Sequence, residues 1–225
     1  HFACQPASTH ICLRWDGPGL DEAAAEHARQ RGMAVDGGVS MTASALQSPT
    51  DSETEVRRLD MVRDRARITD LNIACDPSEA QGPAEYRMFK EQVRASWWAW
   101  HNKGNTQWWG AFRNGEMVGQ CGMVLCDNGL GRFQSVETHP DHRRSGVCSS
   151  LVTHVGNHAF RAGGCHTVLL AADAEGPALA LYRRLGLQVG VMQHGLIRSG
   201  ESIAVRLEAA GDQAEVHSVV TAAFG

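Results

Sequence analysis

Two runs rich in apolar residues, 108–113 and 116–125, are joined by the dipeptide Asn114-Gly115, and no other feature of the chain constrains its fold as much. Asn-Gly accepts positive φ at both central positions of a type I′ turn, whose twist matches that of the two strands it joins. The spacing therefore predicts an antiparallel hairpin. A second turn signal, Asp127-Asn128-Gly129, leads into 132–138, adding a third strand and completing a meander. Beyond it the pattern changes to helix, strand, helix. Val147, Leu151, Val155 and Ala159 recur every four residues until Gly163-Gly164 stops them, as an apolar helix face should. Residues 166–172 form a short continuous apolar run, the mark of a strand buried on both faces. Pro177 and Gly186 bracket a helix over 178–185, Pro at its start and Gly past its end. The expected fold is α/β, with a mixed, mostly antiparallel sheet flanked by helices.

The first fifty residues read as a small strand–helix–strand appendage. A strand is expected over 9–15 and a helix over 21–31 that ends at Gly32. A weaker strand over 33–42 is interrupted by Gly37-Gly38. Residues 44–52, with Pro49 and several hydroxyl side chains, read as a linker. Next come a short strand at 55–59 and helices over 64–74 and 85–101. The domains expected are 1–50 for the appendage, 54–200 for the main body and 201–225 for a C-terminal tail of strand and helix. Five tryptophans (Trp97, Trp98, Trp100, Trp108 and Trp109) fall within thirteen positions. Rings of that size read first as core and second as a pocket wall.

Composition removes several function classes. With 225 residues and 43% hydrophobic content, the chain can bury a core without a disulfide or metal staple. No apolar run approaches the roughly 20 residues of a membrane helix, so no membrane role is expected. A net charge of −4 argues against nucleic acid as partner. Seven cysteines with no C-x-x-C pair read as free thiols. No leader pattern is visible, and a cytoplasmic location is the expectation. No metal site is expected: His154 and His158 lie one turn apart but have no third ligand, and read as solvated. The arginines at 57, 58, 63, 65 and 67 read as a solvated basic face.

The candidate functional centre lies where the third meander strand runs into the next helix, at Val136-Glu137-Thr138-His139-Pro140-Asp141-His142-Arg143-Arg144-Ser145-Gly146-Val147-Cys148-Ser149. Gly146 lets backbone approach a ligand closely. The first N–H groups of a helix lack intrahelical partners and carry the positive dipole end, which suits a phosphate. Arg143 and Arg144 add charge for further oxygens. The pattern is neither a Walker loop nor a dinucleotide turn. On chemistry alone it is a phosphate site of unnamed type.

Arg143-x-x-Gly146-x-Cys148 resembles the acyl-CoA loop of the GCN5-related N-acetyltransferase (GNAT) family, whose pattern is Arg or Gln, x, x, Gly, x, then Gly or Ala. A second stretch, Ala178 to Leu187 with Leu181-Tyr182 and Gly186, resembles the family's A-x-x-L-Y-x-x-x-G-F segment. The resemblance spans about 54–198. Cys148 replaces the final Gly or Ala, Leu187 replaces Phe, and Glu175 stands where many relatives have Asn.

The resemblance implies an enzyme that passes an acetyl group from acetyl-CoA directly to a primary amine, on a small molecule or a peptide. It implies cofactor contacts from Val136, Thr138, Arg143, Arg144, Ser145, Gly146, Val147, Cys148, Ser149, Glu175 and Tyr182, with Tyr182 as general acid. The base is open. Glu137 is the carboxylate within the strand, yet strict alternation puts it on the Phe133 face, opposite Arg132 and Gln134. Relatives often carry catalytic groups on the face matching Arg132 and Gln134. A bulge could turn Glu137 around. Asp173 and deprotonation in solution are the alternatives. A homodimer is left open, and the rival reading is an acyl-CoA-binding sensor or scaffold with weak catalysis.

Overall fold

The computed structural model describes residues 10–16, 19–47, 53–75, 91 and 104–199. They divide between two compact units. One is drawn from the chain up to residue 40, from 172–176 and from 189 onward; the other comprises 41–171 and 177–188.

In the first unit, β1 (His10–Asp16) is followed by α1 (Glu22–Gln30) and β2 (Ala34–Ala43), whose last residues belong to the second unit. Asp21 caps α1 by accepting from the Ala24 N–H at 2.7 Å, and Gly32, at φ +74°, ends it. These are the expected start and stop. Strand β2 runs on through Gly37-Gly38 without a break. A strand with no sequence expectation, β8 (Gln188–Ser199), pairs antiparallel with β1 from His10↔Ser199 to Asp16↔Gln193. Ser40 Oγ accepts from the Val191 N–H and donates to the Val191 carbonyl, tying β2 to β8.

The second unit contains β3 (Glu55–Arg58), α2 (Arg65–Cys75), β4 (Thr106–Arg113), β5 (Glu116–Leu125), β6 (Leu130–Thr138), α3 (Val147–Arg161), most of β7 (Thr167–Asp173) and α4 (Ala178–Arg184). Its strand order is β7-β6-β5-β4-β3. Every pairing is antiparallel except β6 with β7, which is parallel. The sheet is mixed, mostly antiparallel and flanked by helices, as the sequence indicates. Asn114 and Gly115 take φ +50° and +79°, the signs a type I′ turn needs. The expected strand at 166–172 forms as β7, but its burial alternates. Val168 and Leu170 are buried and Ala171 is exposed. The helix expected at 85–101, apart from Glu91, and the tail after 199 lie outside the described residues.

Core side chains occupy both faces of this sheet. On one face Trp108 and Phe112 of β4 pack with Leu59, Met61 and Ile68. On the other, Val147, Leu151, Val152, Val155 and Ala159 of α3 are buried, and Gly119 of β5 lies against Val147. Trp109 meets His154 and His158 of α3 with ring centroids 5.4 and 4.7 Å apart. Trp108 and Trp109 are therefore core residues rather than a pocket wall; Trp97, Trp98 and Trp100 lie outside the described residues. The histidines are packed on an indole, and burial holds both below the usual imidazole value. Among the described residues no group of three or more His, Cys, Asp or Glu could hold a metal ion. No described helix is long and apolar enough to cross a membrane. The six described cysteines are free.

The basic run is largely solvated, as expected, with Arg58, Arg63, Arg65 and Arg67 exposed, but two of its members also hold a buried carboxylate. Arg57 and Arg67 donate to the buried Asp64 carboxylate at 3.2–3.3 Å, joined by the Asp60 N–H at 3.0 Å. Arg57 also lies over the Phe112 ring, 4.1 Å from its centroid. The hydrogen bond from Arg57 comes first among the causes that hold the Asp64 pKa below its usual value. A lowered carboxylate pKa gives stability that is present above the unfolded value and lost as pH falls through the folded one. The thermal midpoint of the wild type should therefore fall more steeply than that of Asp64→Asn on acidification from about pH 5 to pH 3. At neutral pH the variant should be less stable by about 1–3 kcal/mol, the cost of leaving buried donors poorly paired.

Candidate functional site

The site is organised by an irregularity in β6. Gly122 opposes Gln134 and Gln120 opposes Glu137, so two residues of β6, Ser135 and Val136, face the single Cys121 of β5. Ser135 takes φ +44°, a conformation uncommon outside glycine. Such a bulge shifts the alternation by one residue. Regular pairing would place Glu137 with Phe133, which packs towards Gly156 of α3. Instead Glu137 faces α2, accepting from Asn72 Nδ2 and, at 2.5 Å, from Gln120 Nε2. Thr138 consequently turns to the α3 face, beside the Cys148 thiol. The bulge thus carries Glu137 to the face of Arg132 and Gln134.

Strands β6 and β7 pair only over Leu130–Arg132 and Thr167–Leu169. Among the described residues, the remainder of β6 has no β7 partner, which leaves an edge open along Val136 and Thr138. After β6 a single 3-10 turn, Pro140–His142, directs the chain towards α3. Arg144 at φ +58° and Gly146 at φ +91° close the loop. Ser145 Oγ donates to the His142 carbonyl at 2.6 Å, and Arg113 Nη2 donates to the Ser145 carbonyl at 2.5 Å. Helix α3 starts at Gly146 with no side-chain cap, and Arg143, Arg144 and Ser145 are exposed around it while Val147 is buried. An uncapped helix start behind a left-handed glycine, with two exposed guanidinium groups alongside, fits a phosphoester anion. Ser149 lies half-buried in the same first turn.

Tyr182 reaches this first turn from α4. The Leu187 N–H donates to the Tyr182 carbonyl at 3.0 Å and the Gly186 N–H to the Arg183 carbonyl at 3.0 Å, the two bonds of a Schellman stop. Gly186, at φ +96°, allows that stop. Tyr182 is 6% exposed, and its side chain lies beside the Cys148 thiol. Burial is the main cause that pushes the phenol well above its ordinary value, with Cys148 adding to it. Burial likewise raises the Cys148 thiol to about 11, against smaller opposing effects of Tyr182 and Thr138. Thr138 Oγ1 is buried, near that thiol but without a hydrogen bond of normal geometry. The structure therefore brings Thr138, Cys148 and Tyr182 together on one face of β6, at the opening of α3, and sets Glu137 on the other.

Glu175 and Asp173 belong to the first unit, where Asp173 Oδ1 accepts from the Glu175 N–H at 3.0 Å and both side chains are exposed. Asn72, Gln120 and Arg113 were missed by sequence reasoning, and Trp108 was read first as core. Gln120 had a signal, as the single hydrogen-bonding side chain in the apolar stretch 117–125. Asn72 and Arg113 had none, because their partners are 65 and 32 residues away. On the α2 face a cavity of about 580 Å³ is lined by Arg67, Asp70, Glu116, His139 and Asp141 among others.

Residues 66–187 match the model of the Acetyltransferase (GNAT) family. No curated protein matches the chain. Solved structures with the same fold include a functionally unknown conserved protein from Staphylococcus epidermidis, at TM-score 0.69 and 16% identity over 87% of this chain and 74% of the other. A GCN5-related N-acetyltransferase from Sphaerobacter thermophilus aligns at TM-score 0.59 and 19% identity, over 89% of this chain and 64% of that one. One from Kribbella flavida aligns at TM-score 0.52 and 16% identity, over 80% and 65%. The chain thus spans just under two thirds of those two enzymes.

The thiol environment gives a direct check. Cys148 should stay unalkylated in the native protein at neutral pH while the exposed Cys12 and Cys126 are modified, because the thiolate is the reactive form. Peptide mass mapping after brief iodoacetamide treatment reads this; rapid labelling of Cys148 would contradict the protonated state.

Proposed function

Since the chain belongs to the acetyltransferase (GNAT) family, we propose that it transfers the acetyl group of acetyl-CoA directly to a primary amine of a small molecule or peptide. The observation that carries this reading is the bulge at Ser135. It sets a carboxylate, Glu137, on the face of β6 opposite the one that Tyr182 of α4 approaches, on a strand whose edge is open.

When bound, acetyl-CoA supplies an acetyl thioester. Arg143, Arg144, Ser145 and the backbone of Gly146, Val147, Cys148 and Ser149 would hold its pyrophosphate. The open edge of β6 at Val136 and Thr138 offers backbone N–H groups to the acetyl carbonyl, in the manner of an oxyanion hole. The catalytic domain is 54–200. Glu137 takes the proton of the attacking ammonium. As the new C–N bond forms and the C–S bond breaks, Tyr182 would donate a hydrogen bond to the departing sulfur, and the second nitrogen proton would pass through solvent to the released thiolate. A thiolate has a pKa near 8.5, far below that of the buried phenol, so Tyr182 acts as a donor to developing charge more than by full proton transfer. Asp70, Glu116 and Asp141 beside the α2-face cavity favour a cationic acceptor. We place the reaction in the cytoplasm, in keeping with the free thiols.

The test is to incubate the protein with acetyl-CoA and a panel of polyamines, amino acids and peptide N-termini, following thiol release and acetylated product by mass spectrometry. One amine class should be acetylated. Glu137→Gln should lower the rate about 10²–10⁴-fold, the usual share of a general base, with acetyl-CoA affinity unchanged. Tyr182→Phe should cost about 10²–10³-fold, as for one lost transition-state donor. Variants as fast as the wild type would remove these roles, and acetyl-CoA binding without any acetylated amine would make the chain a binding module.

A further inference from the structure

A glutamine with no exposed surface lies beneath the bulge. Gln120 accepts from Trp108 Nε1 at 3.3 Å through Oε1 and, through Nε2, donates to the Ile68 carbonyl at 3.3 Å and to Glu137 Oε2 at 2.5 Å. Its amide has one orientation available. An indole N–H can only donate and a carbonyl can only accept, so a flipped amide would oppose donor to donor and acceptor to acceptor. The –NH2 group is thereby forced towards Glu137. Asn72, itself buried on α2, donates through Nδ2 to the other oxygen, Oε1. Each carboxylate oxygen therefore receives an amide N–H from a buried side chain, and the two amides come from different elements, β5 and α2. Hydrogen bonds donated to a carboxylate favour its ionised form, and they fix which lone pairs remain for a third partner.

We infer that Gln120 and Asn72 are positioning residues for the Glu137 carboxylate, with Trp108 locking Gln120 in turn. The inference rests on the proposed role of Glu137 as base. The pair does two things for that role. It holds the carboxylate ionised at the pH where an amine must be deprotonated, and it stops the side chain from rotating away from the α2 face. Neither residue touches the acceptor.

The experiment reads the carboxylate itself, so it needs no identified acceptor. The protein is labelled with glutamate carrying 13C at Cδ, and the Glu137 signal is assigned by its loss in Glu137→Gln. Its titration midpoint is then followed in the wild type, Gln120→Met and Asn72→Leu. Both variants should raise the midpoint by about one unit, a tenfold change in the protonation equilibrium for each lost donor. With an amine substrate in hand, the acid limb of kcat/KM should move up by the same amount, while acetyl-CoA affinity stays unchanged. A midpoint unmoved in folded variants overturns the inference. If the Gln120→Met protein fails to fold, Asn72→Leu decides the question through the opposite oxygen. The base assignment fails separately: Glu137→Gln transferring acetyl at the wild-type rate removes it, whatever the midpoints do.

Discussion

The extra residue in β6 sets the geometry on which the site depends. Because Ser135 adopts a left-handed conformation, two residues of β6 stand opposite one of β5, and every side chain beyond that point exchanges faces. Glu137 gains Gln120 and Asn72 as partners, while Thr138 turns to Cys148 and the start of α3. A regular strand would put the carboxylate among the apolar side chains under α3, where ionisation is opposed by burial. It would also leave Gln120 without an acceptor for its second amide proton. Strain at one serine is offset by a set of satisfied polar contacts, a trade that recurs at functional sites.

Around that irregularity the remaining parts are conventional and local. The turn after β6 is held by its own Ser145–His142 bond and by Arg113 reaching across from β4. The guanidinium of Arg113 both anchors the loop and adds positive charge beside an uncapped helix start. Tyr182 is placed by the Gly186 stop of a two-turn helix. The α2 side is secured by Asp64, which gathers Arg57, Arg67 and the Asp60 N–H and fixes the start of the helix that carries Asn72. A buried carboxylate with matched donors thus supports, two turns further along α2, the amide that meets another carboxylate.

Much of this was legible because it is written in short-range signals. Asn114-Gly115 and the stops at Gly32, Gly164 and Gly186 each act within a few residues, and each does what its chemistry indicates. The tight turn at 143–146 that opens a helix could be read for the same reason. The face presented by Glu137 was not legible, since the bulge falls on a serine rather than a glycine and alternation alone points the other way. Strand β8 was missed because its partner β1 lies more than 170 residues earlier and its own sequence, interrupted by Gly190 and Gly195, lacks clean alternation. That Arg57 and Arg67 pair with Asp64 was not legible because nothing local says that Asp64 is buried. His154 is exposed, as read, but the packing of both His154 and His158 on Trp109 was not legible, because Trp109 comes from another element.

The central claim is that the Arg143–Cys148 turn binds the pyrophosphate of acetyl-CoA, and calorimetric titration of acetyl-CoA into the purified chain tests it most directly, with Gly146→Glu as control. The account predicts saturable micromolar binding, worth about −8 kcal/mol, that is lost in the control because a carboxylate then occupies the anion site, while the control keeps its fold by circular dichroism. Binding of equal strength to both proteins, or none to the wild type, would contradict it.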